Sequence, residues 1–171
     1  MLVRPALPDE LDAVGRLTVR AYAEFVPATS AYAKRLADAA DRAANASLLV
    51  AVGEGTLDLL GTATLVVGDG PYAELAGPGE AELRMLAVEP AARRRGVGAA
   101  LVQDALDRAR AGGARRVLLS TLPAMVDAHR LYRRFGFRRA PDLDHRPVPG
   151  VELLAFSLDL PPPPAGAQLG T

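Results

Sequence analysis

Apolar residues recur along the chain with two periods, one near 3.6 and one of 2, and the switches between them mark its elements. Residues 2–5 read as a short edge strand. From Asp9, a candidate N-cap, Leu11, Val14, Leu17, Ala21 and Tyr22 recur at helical spacing until Pro27 interrupts. A second amphipathic segment spans about 30–45. Residues 47–52 and 57–67 read as two strands of a hairpin turning at Gly53-Glu54-Gly55, and residues 68–79, with Gly-Asp-Gly-Pro and Gly-Pro-Gly, as a loop. A strand over 80–88 leads to a helix over 96–111, stopped by Gly112-Gly113. A buried-type strand over 116–120 follows. Ala124, Ala128, Leu131, Tyr132 and Phe135 then share one helical stripe that ends at Gly136. Two last strands are predicted, from Phe137 onward and over 151–160. The predicted order is β-α-α-β-β-β-α-β-α-β-β, an α/β mix with hairpins and one βαβ crossover. Residues 1–160 form one domain, and the proline-rich stretch 161–171 reads as a disordered tail.

Composition narrows the chemistry. The chain has no cysteine, hence no disulfide and no thiol nucleophile, and with only two histidines a metal site is not expected. No run approaches the ~18 apolar residues of a membrane span, and Met1-Leu2-Val3-Arg4-Pro5 lacks the form of a signal peptide. A cytoplasmic protein without a membrane partner is expected. Arginine outnumbers lysine 19 to 1, a coding bias of GC-rich bacterial genomes rather than a functional signal. Net charge is zero, which argues against a nucleic-acid partner. The charge is nevertheless uneven: residues 1–80 carry 11 acidic and 6 basic side chains, residues 81–171 carry 9 and 14.

The run Leu86-Ala87-Val88-Glu89-Pro90-Ala91-Ala92-Arg93-Arg94-Arg95-Gly96-Val97-Gly98 stands at the basic end of this asymmetry. A strand stops at a proline, three arginines follow, and two glycines open a helix. The free N–H groups of a helix's first turn, with the macrodipole, make an anion site. The competing reading is a βα turn with a solvated charge run.

From Arg93 the chain fits Arg/Gln-x-x-Gly-x-Gly/Ala and resembles the pyrophosphate loop of the GCN5-related N-acetyltransferase (GNAT) family. Ala128-x-x-Leu131-Tyr132-x-x-x-Gly136-Phe137 resembles that family's second signature, in order and one helix and one strand away. The match is detailed over about residues 80–140. The resemblance implies a mixed, mostly antiparallel central sheet with helices on both faces. It also implies acetyl-coenzyme A as acyl donor and a small-molecule or peptide amine as acceptor. The main chain of Leu86, Ala87 and Val88 is then expected to pair with the pantetheine arm. Arg93, Arg94, Arg95, Gly96, Val97, Gly98 and Ala99 are expected to cradle the diphosphate. Met125, counted with the cofactor-binding positions, stands where the family commonly has an asparagine that contacts pantetheine, so the resemblance does not extend to that cofactor hydrogen bond.

Amide formation needs a neutral amine, a positioned thioester and a proton for the leaving thiolate. Without a cysteine, direct attack in a ternary complex is favoured. Tyr132 is the candidate acid, since a phenol with a pKa near ~10 can donate to a thiolate; a core tyrosine is its other reading. Glu82 is the candidate base, or else half of a structural pair with Arg84. Strand alternation puts Glu82, Arg84, Leu86 and Val88 on one face, unless a bulge intervenes. Arg84, Tyr22 and Tyr32 are candidate acceptor-binding residues, and Arg84 points to an amine that also bears a carboxylate. His129 reads as a solvated helix residue, and His145 as a loop residue near the acceptor pocket. An acyl-coenzyme A binding module without catalysis is the alternative function. The acceptor's identity and the oligomeric state, a homodimer included, are left open.

Overall fold

The computed structural model describes residues 1–56 and 58–161, so the predicted tail, Pro161 apart, lies outside the described residues. Strands β1 (Leu2–Pro5), β2 (Ser47–Val52), β3 (Leu59–Val67), β4 (Glu80–Val88), β5 (Arg116–Thr121), β6 (Arg138–Arg139), β7 (His145–Val148) and β8 (Val151–Asp159) form one sheet. Its order is β1-β2-β3-β4-β5-β8-β6, with β7 also on β8, and β4–β5 is the parallel pair in an otherwise antiparallel array. Helices α1 (Leu11–Tyr22), α2 (Ala31–Ala37) and α3 (Ala39–Asn45) pack on one face, and α4 (Val97–Ala111) and α5 (Val126–Arg134) on the other. Along β2 the alternation is clean. Leu49 and Ala51 join the core under α4, while Leu48, Val50 and Val52 join that under α1 and α3.

Three local expectations are corrected. Asp9 does not cap α1: it lies in a 3₁₀ turn, Pro8–Glu10, where Glu10 accepts from the Leu7 N–H at 2.8 Å and pairs with Arg4 at 2.6 Å. The segment 30–45 is two helices, not one. Asp38 leaves the helical region and caps α3 through the Asp41 N–H, and Ser30 caps α2 through the Ala33 N–H. Arg42, fully buried, donates back to the Leu36 carbonyl at 2.9 Å and so satisfies the end of α2. The last region carries three strands rather than two, because β7 folds onto β8 as a hairpin closed at Gly150 (φ +81°).

The feature that positions the site is in β4. Its register against β3 runs from Thr64↔Arg84 to Thr62↔Ala87, so β4 holds one extra residue there, and Met85 sits at φ +49°. The bulge reverses the side-chain parity. Glu82 and Arg84 face away from α4, whereas Leu86 and Val88 pack on its side and Met85 and Ala87 on the other. The expected single face of Glu82, Arg84, Leu86 and Val88 is therefore corrected: it ends at Arg84. On its other edge β4 pairs with β5 only from Glu80↔Arg116 to Leu83↔Leu119. Beyond Leu83 the two strands separate.

Candidate active site

The separated part of β4 leads into the loop that the sequence singled out. After Val88 comes a 3₁₀ turn, Pro90–Ala92. Arg94 (φ +62°) and Gly96 (φ +80°) then turn the backbone through the left-handed region before α4 starts. The Ala100 N–H donates to the Gly96 carbonyl at 3.0 Å, but the N–H groups of residues 94–99 meet no acceptor among the described residues. They form a run of free donors at a helix N-terminus, as diphosphate recognition requires. A Cβ on Gly96 would touch nothing within 4 Å, so the backbone conformation, not space, requires glycine there. Gly98 serves packing instead: a Cβ there would lie 3.1 Å from Leu131 Cδ2 and 3.6 Å from Val88 Cγ2. The Arg93 side chain turns back to α1, donating to Glu24 (2.9 Å) and the Ala21 carbonyl (3.2 Å), while Arg94 and Arg95 are exposed. The Arg93 N–H donates to the Pro90 carbonyl at 3.4 Å, so the free donors begin at Arg94.

Where β4 and β5 part, a narrow chamber of about 10 Å³ is lined by Tyr22, Tyr32, Glu74, Arg84, Met85, Ser120, Thr121, Leu122 and Leu153. The Tyr22 hydroxyl donates to the Leu86 carbonyl at 3.3 Å and ties α1 to the free edge of β4. The Thr121 hydroxyl is buried without a hydrogen-bond partner among the described residues. Tyr132 is buried on α5 against Phe137 and Phe156, with ring centroids 6.0 and 6.2 Å away. No hydrogen bond from its hydroxyl is found among the described residues, and it does not line the chamber. Burial, and then the Tyr32 phenol, push the Tyr132 phenol well above its ordinary value, so it keeps its proton. Met125 stands at the start of α5, where its side chain joins the α1-side core and offers no amide donor.

The acidic residues sort differently from the sequence expectation. Glu82 is fully buried, and its Oε2 accepts from the N–H groups of Glu74, Leu75 and Ala76 at 2.9, 2.8 and 3.2 Å. Its Oε1 has no hydrogen-bond partner among the described residues and lies 3.6 Å from Arg84 Nε. Arg84 donates to the Tyr72 carbonyl at 2.5 Å, stacks over the Tyr72 ring at 4.5 Å and pairs with Glu74 at 2.6 Å. The carboxylate that reaches the chamber is that of Glu74. It holds Arg35 and Arg84, each at 2.6 Å, and His145 Nε2 at 3.0 Å. Burial acts to raise its pKa, but Arg84, His145 and Arg35 outweigh this and hold it below the usual carboxylate range.

Both histidine expectations change. His129 is buried, not solvated, with Nε2 3.1 Å from the Leu122 carbonyl and its ring 5.4 Å from that of Phe156. Burial lowers its pKa, with Arg133 and Arg139 adding and the Leu122 carbonyl opposing. His145 begins β7 and meets Glu74, though 71 residues separate them in sequence. Glu74 was invisible in a glycine- and proline-rich loop. Only the structure shows that Glu82 draws that loop inward.

Outside the chamber, and sharing Glu74 and Arg84 with it, a groove of about 370 Å³ is lined also by Lys34, Arg35, Asp38, Asp41, Pro71, Tyr72 and Ala73. It lies between α2, α3 and the loop before β4. Among the described residues no group of three histidine or acidic side chains is placed to hold a metal, and no helix is long and apolar enough to cross a membrane.

Residues 11–137 match the profile of the acetyltransferase (GNAT) family. An uncharacterised N-acetyltransferase of Schizosaccharomyces pombe is 34% identical over 98 residues, 57% of this chain and 58% of that protein; the match thus spans little more than half of that relative. A GCN5-related N-acetyltransferase from Kribbella flavida has a similar structure, with a TM-score of 0.67 and 25% identity, over 93% of this chain and 97% of that one. So does a GNAT family acetyltransferase from Brucella melitensis in complex with acetyl-CoA, with a TM-score of 0.59, 24% identity, and coverage of 94% and 91%.

Proposed function

The chain belongs to the acetyltransferase (GNAT) family, and on that premise we propose that it transfers an acetyl group from acetyl-coenzyme A to a primary amine of a small molecule or peptide. The observation that carries this reading is the parting of β4 from β5 after Leu83↔Leu119, continuous with the free N–H groups of residues 94–99. An extended ligand with amides along one part and a diphosphate at its end suits that surface. The backbone of Leu86, Ala87 and Val88 offers a strand edge, and residues 94–99 offer the anion site. Acetyl-coenzyme A supplies the acyl group as a thioester. The acceptor enters through the groove as a neutral amine; its nitrogen forms the new C–N bond as the C–S bond breaks, the proton it sheds passes to solvent, and solvent restores the proton that the leaving sulfur takes up. Both reactants being held together supplies much of the rate.

Tyr132 is the proposed donor of the proton that the leaving sulfur takes up. Its phenol stays protonated, and no internal partner competes for it among the described residues. Glu82 has the supporting one of the two roles that the sequence left open. Three backbone N–H groups occupy its Oε2, which fixes the segment 74–76 and thereby Glu74. Glu74, at the border of groove and chamber, is the carboxylate placed to meet the acceptor's nitrogen. Thiol release from acetyl-coenzyme A with a panel of amines tests the proposal. Amine-dependent release supports it. Binding of acetyl-coenzyme A with no release for any amine would leave an acyl-coenzyme A binding module instead.

A further inference from the structure

The groove outside the chamber carries equal numbers of opposite charges: Lys34, Arg35 and Arg84 against Asp38, Asp41 and Glu74. Two of the carboxylates are engaged locally, since Asp38 caps α3 through the Asp41 N–H and Asp41 accepts from Asn45 at 2.8 Å. Arg84 is committed to Tyr72 and Glu74 from within the protein, its side chain only 6% exposed. Of Glu74's partners, Arg35 is the most open, 35% exposed on the short helix α2. Lys34, the adjacent residue, makes no ion pair among the described residues. The Arg35–Glu74 pair thus spans the way from groove to chamber, and an acceptor that takes Glu74 from the groove side releases Arg35.

A bare ammonium would satisfy Glu74 and leave Arg35 unpaired beside Lys34, whereas an ammonium with a compact anion a few bonds away re-pairs both halves of the broken bridge. We infer that the acceptor is a small zwitterionic amine, with its nitrogen at Glu74 and its carboxylate or equivalent anion at Arg35. This rests on the transferase reading above and names the substrate class of that site. Charge matching favours such a ligand: its nitrogen takes the place that Arg35 vacates at Glu74, which Arg84 and His145 continue to hold, and its anion re-pairs Arg35. A guanidinium also receives a carboxylate through two parallel N–H donors, which fixes the ligand's direction as well as its charge.

The test compares free L-amino acids with their carboxamides, which keep shape and amine but lose the anion, in the wild-type protein and in Arg35→Gln and Arg35→Lys. Coenzyme A-induced thermal stabilisation is recorded for each protein. The wild type is expected to show kcat/KM at least tenfold higher for some acids than for their amides. Arg35→Gln brings that ratio toward one through KM for the acid, Arg35→Lys restores part of it, and the coenzyme A response persists in both. Amides used as well as or better than acids would overturn the inference, as would diamines or peptide N-termini as the preferred acceptors. An equal loss on acids and amides in Arg35→Gln would also overturn it. Coenzyme A binding with no turnover of any amino acid overturns it too, while absence of coenzyme A binding marks the failure of the transferase reading itself.

Discussion

Leu83 stands opposite Leu119, and it is the last residue of β4 to pair with β5. One residue on, Arg84 turns away from α4, and Met85 then takes a left-handed backbone, which sends the remainder of the strand toward the loop at residues 93–99 with its β5-side edge free. Two strands that pair for four residues and then part leave main-chain donors and acceptors without partners, and such groups are costly unless water or a ligand meets them.

Coenzyme A is therefore expected to raise the melting temperature, by about 2.7 kcal/mol of stabilisation at a hundredfold excess over its Kd. NAD and ATP, which lack a pantetheine arm for the free edge of β4, should stabilise far less. In Gly96→Glu the carboxylate lies among the free N–H groups and the backbone is strained, so the response to coenzyme A should be lost. Gly98 is a poorer probe, because any side chain there meets Leu131 first. A thermal-shift titration of wild type and Gly96→Glu decides this. A full response in the variant, or equal protection by NAD, would remove the diphosphate assignment.

Tyr132→Phe should lower turnover by about 10²-fold, within the range of acid catalysis. No internal partner is orphaned, so unfolding free energy should change by less than about 1 kcal/mol. Steady-state rates and denaturant unfolding on one preparation separate this from a core role, for which turnover of the folded fraction would be nearly intact.

Glu82→Ala should destabilise by at least about 2 kcal/mol, since three N–H groups lose their acceptor. Glu82→Gln, which keeps one carbonyl oxygen, should cost less and retain much of the activity if Glu82 only supports the loop. Loss of activity in a stable, fully folded Glu82→Gln would instead return it to the role of base.

Stability should fall in acid in two stages. The folded-state pKa of buried His129 is lowered from 6.5, so the unfolded chain takes up the proton first. Its contribution is complete above pH 6.5 and is lost as pH falls through the lower folded value. Glu10, Glu74, Glu80 and Asp144 are likewise held low, the glutamates from 4.5 and the aspartate from 3.8, and their stabilisation fades at still lower pH. His129→Gln should flatten the first stage only, as read from denaturant midpoints measured across pH.

Much of this was legible in the sequence because it rests on local patterns. The stripe Ala128, Leu131, Tyr132 and Phe135 is a helical period, and Gly136 at φ +92° stops the helix, as its place after Phe135 predicts, but Ala124, expected on the same stripe, lies exposed in a turn before α5 begins at Val126. The loop from Arg93 to Gly98 follows from residue types that only a tight turn into a helix accommodates. The bulge was not legible: methionine has no preference for a left-handed conformation, so nothing at Met85 signals it, and side-chain parity past that point was wrong. The Glu74–His145 contact was equally hidden, since it depends on how a loop and a hairpin fold toward each other. Nor does any local pattern signal the burial of Arg42 on α3, which follows from the break at Asp38 that leaves the Leu36 carbonyl to be satisfied.

Amide hydrogen exchange with and without coenzyme A tests the central claim most directly, because the claim concerns backbone groups. Protection is expected at residues 86–88 and 94–99, with little change in β1 or β2. Coenzyme A that binds while leaving the amides of residues 94–99 exchanging as before would contradict it.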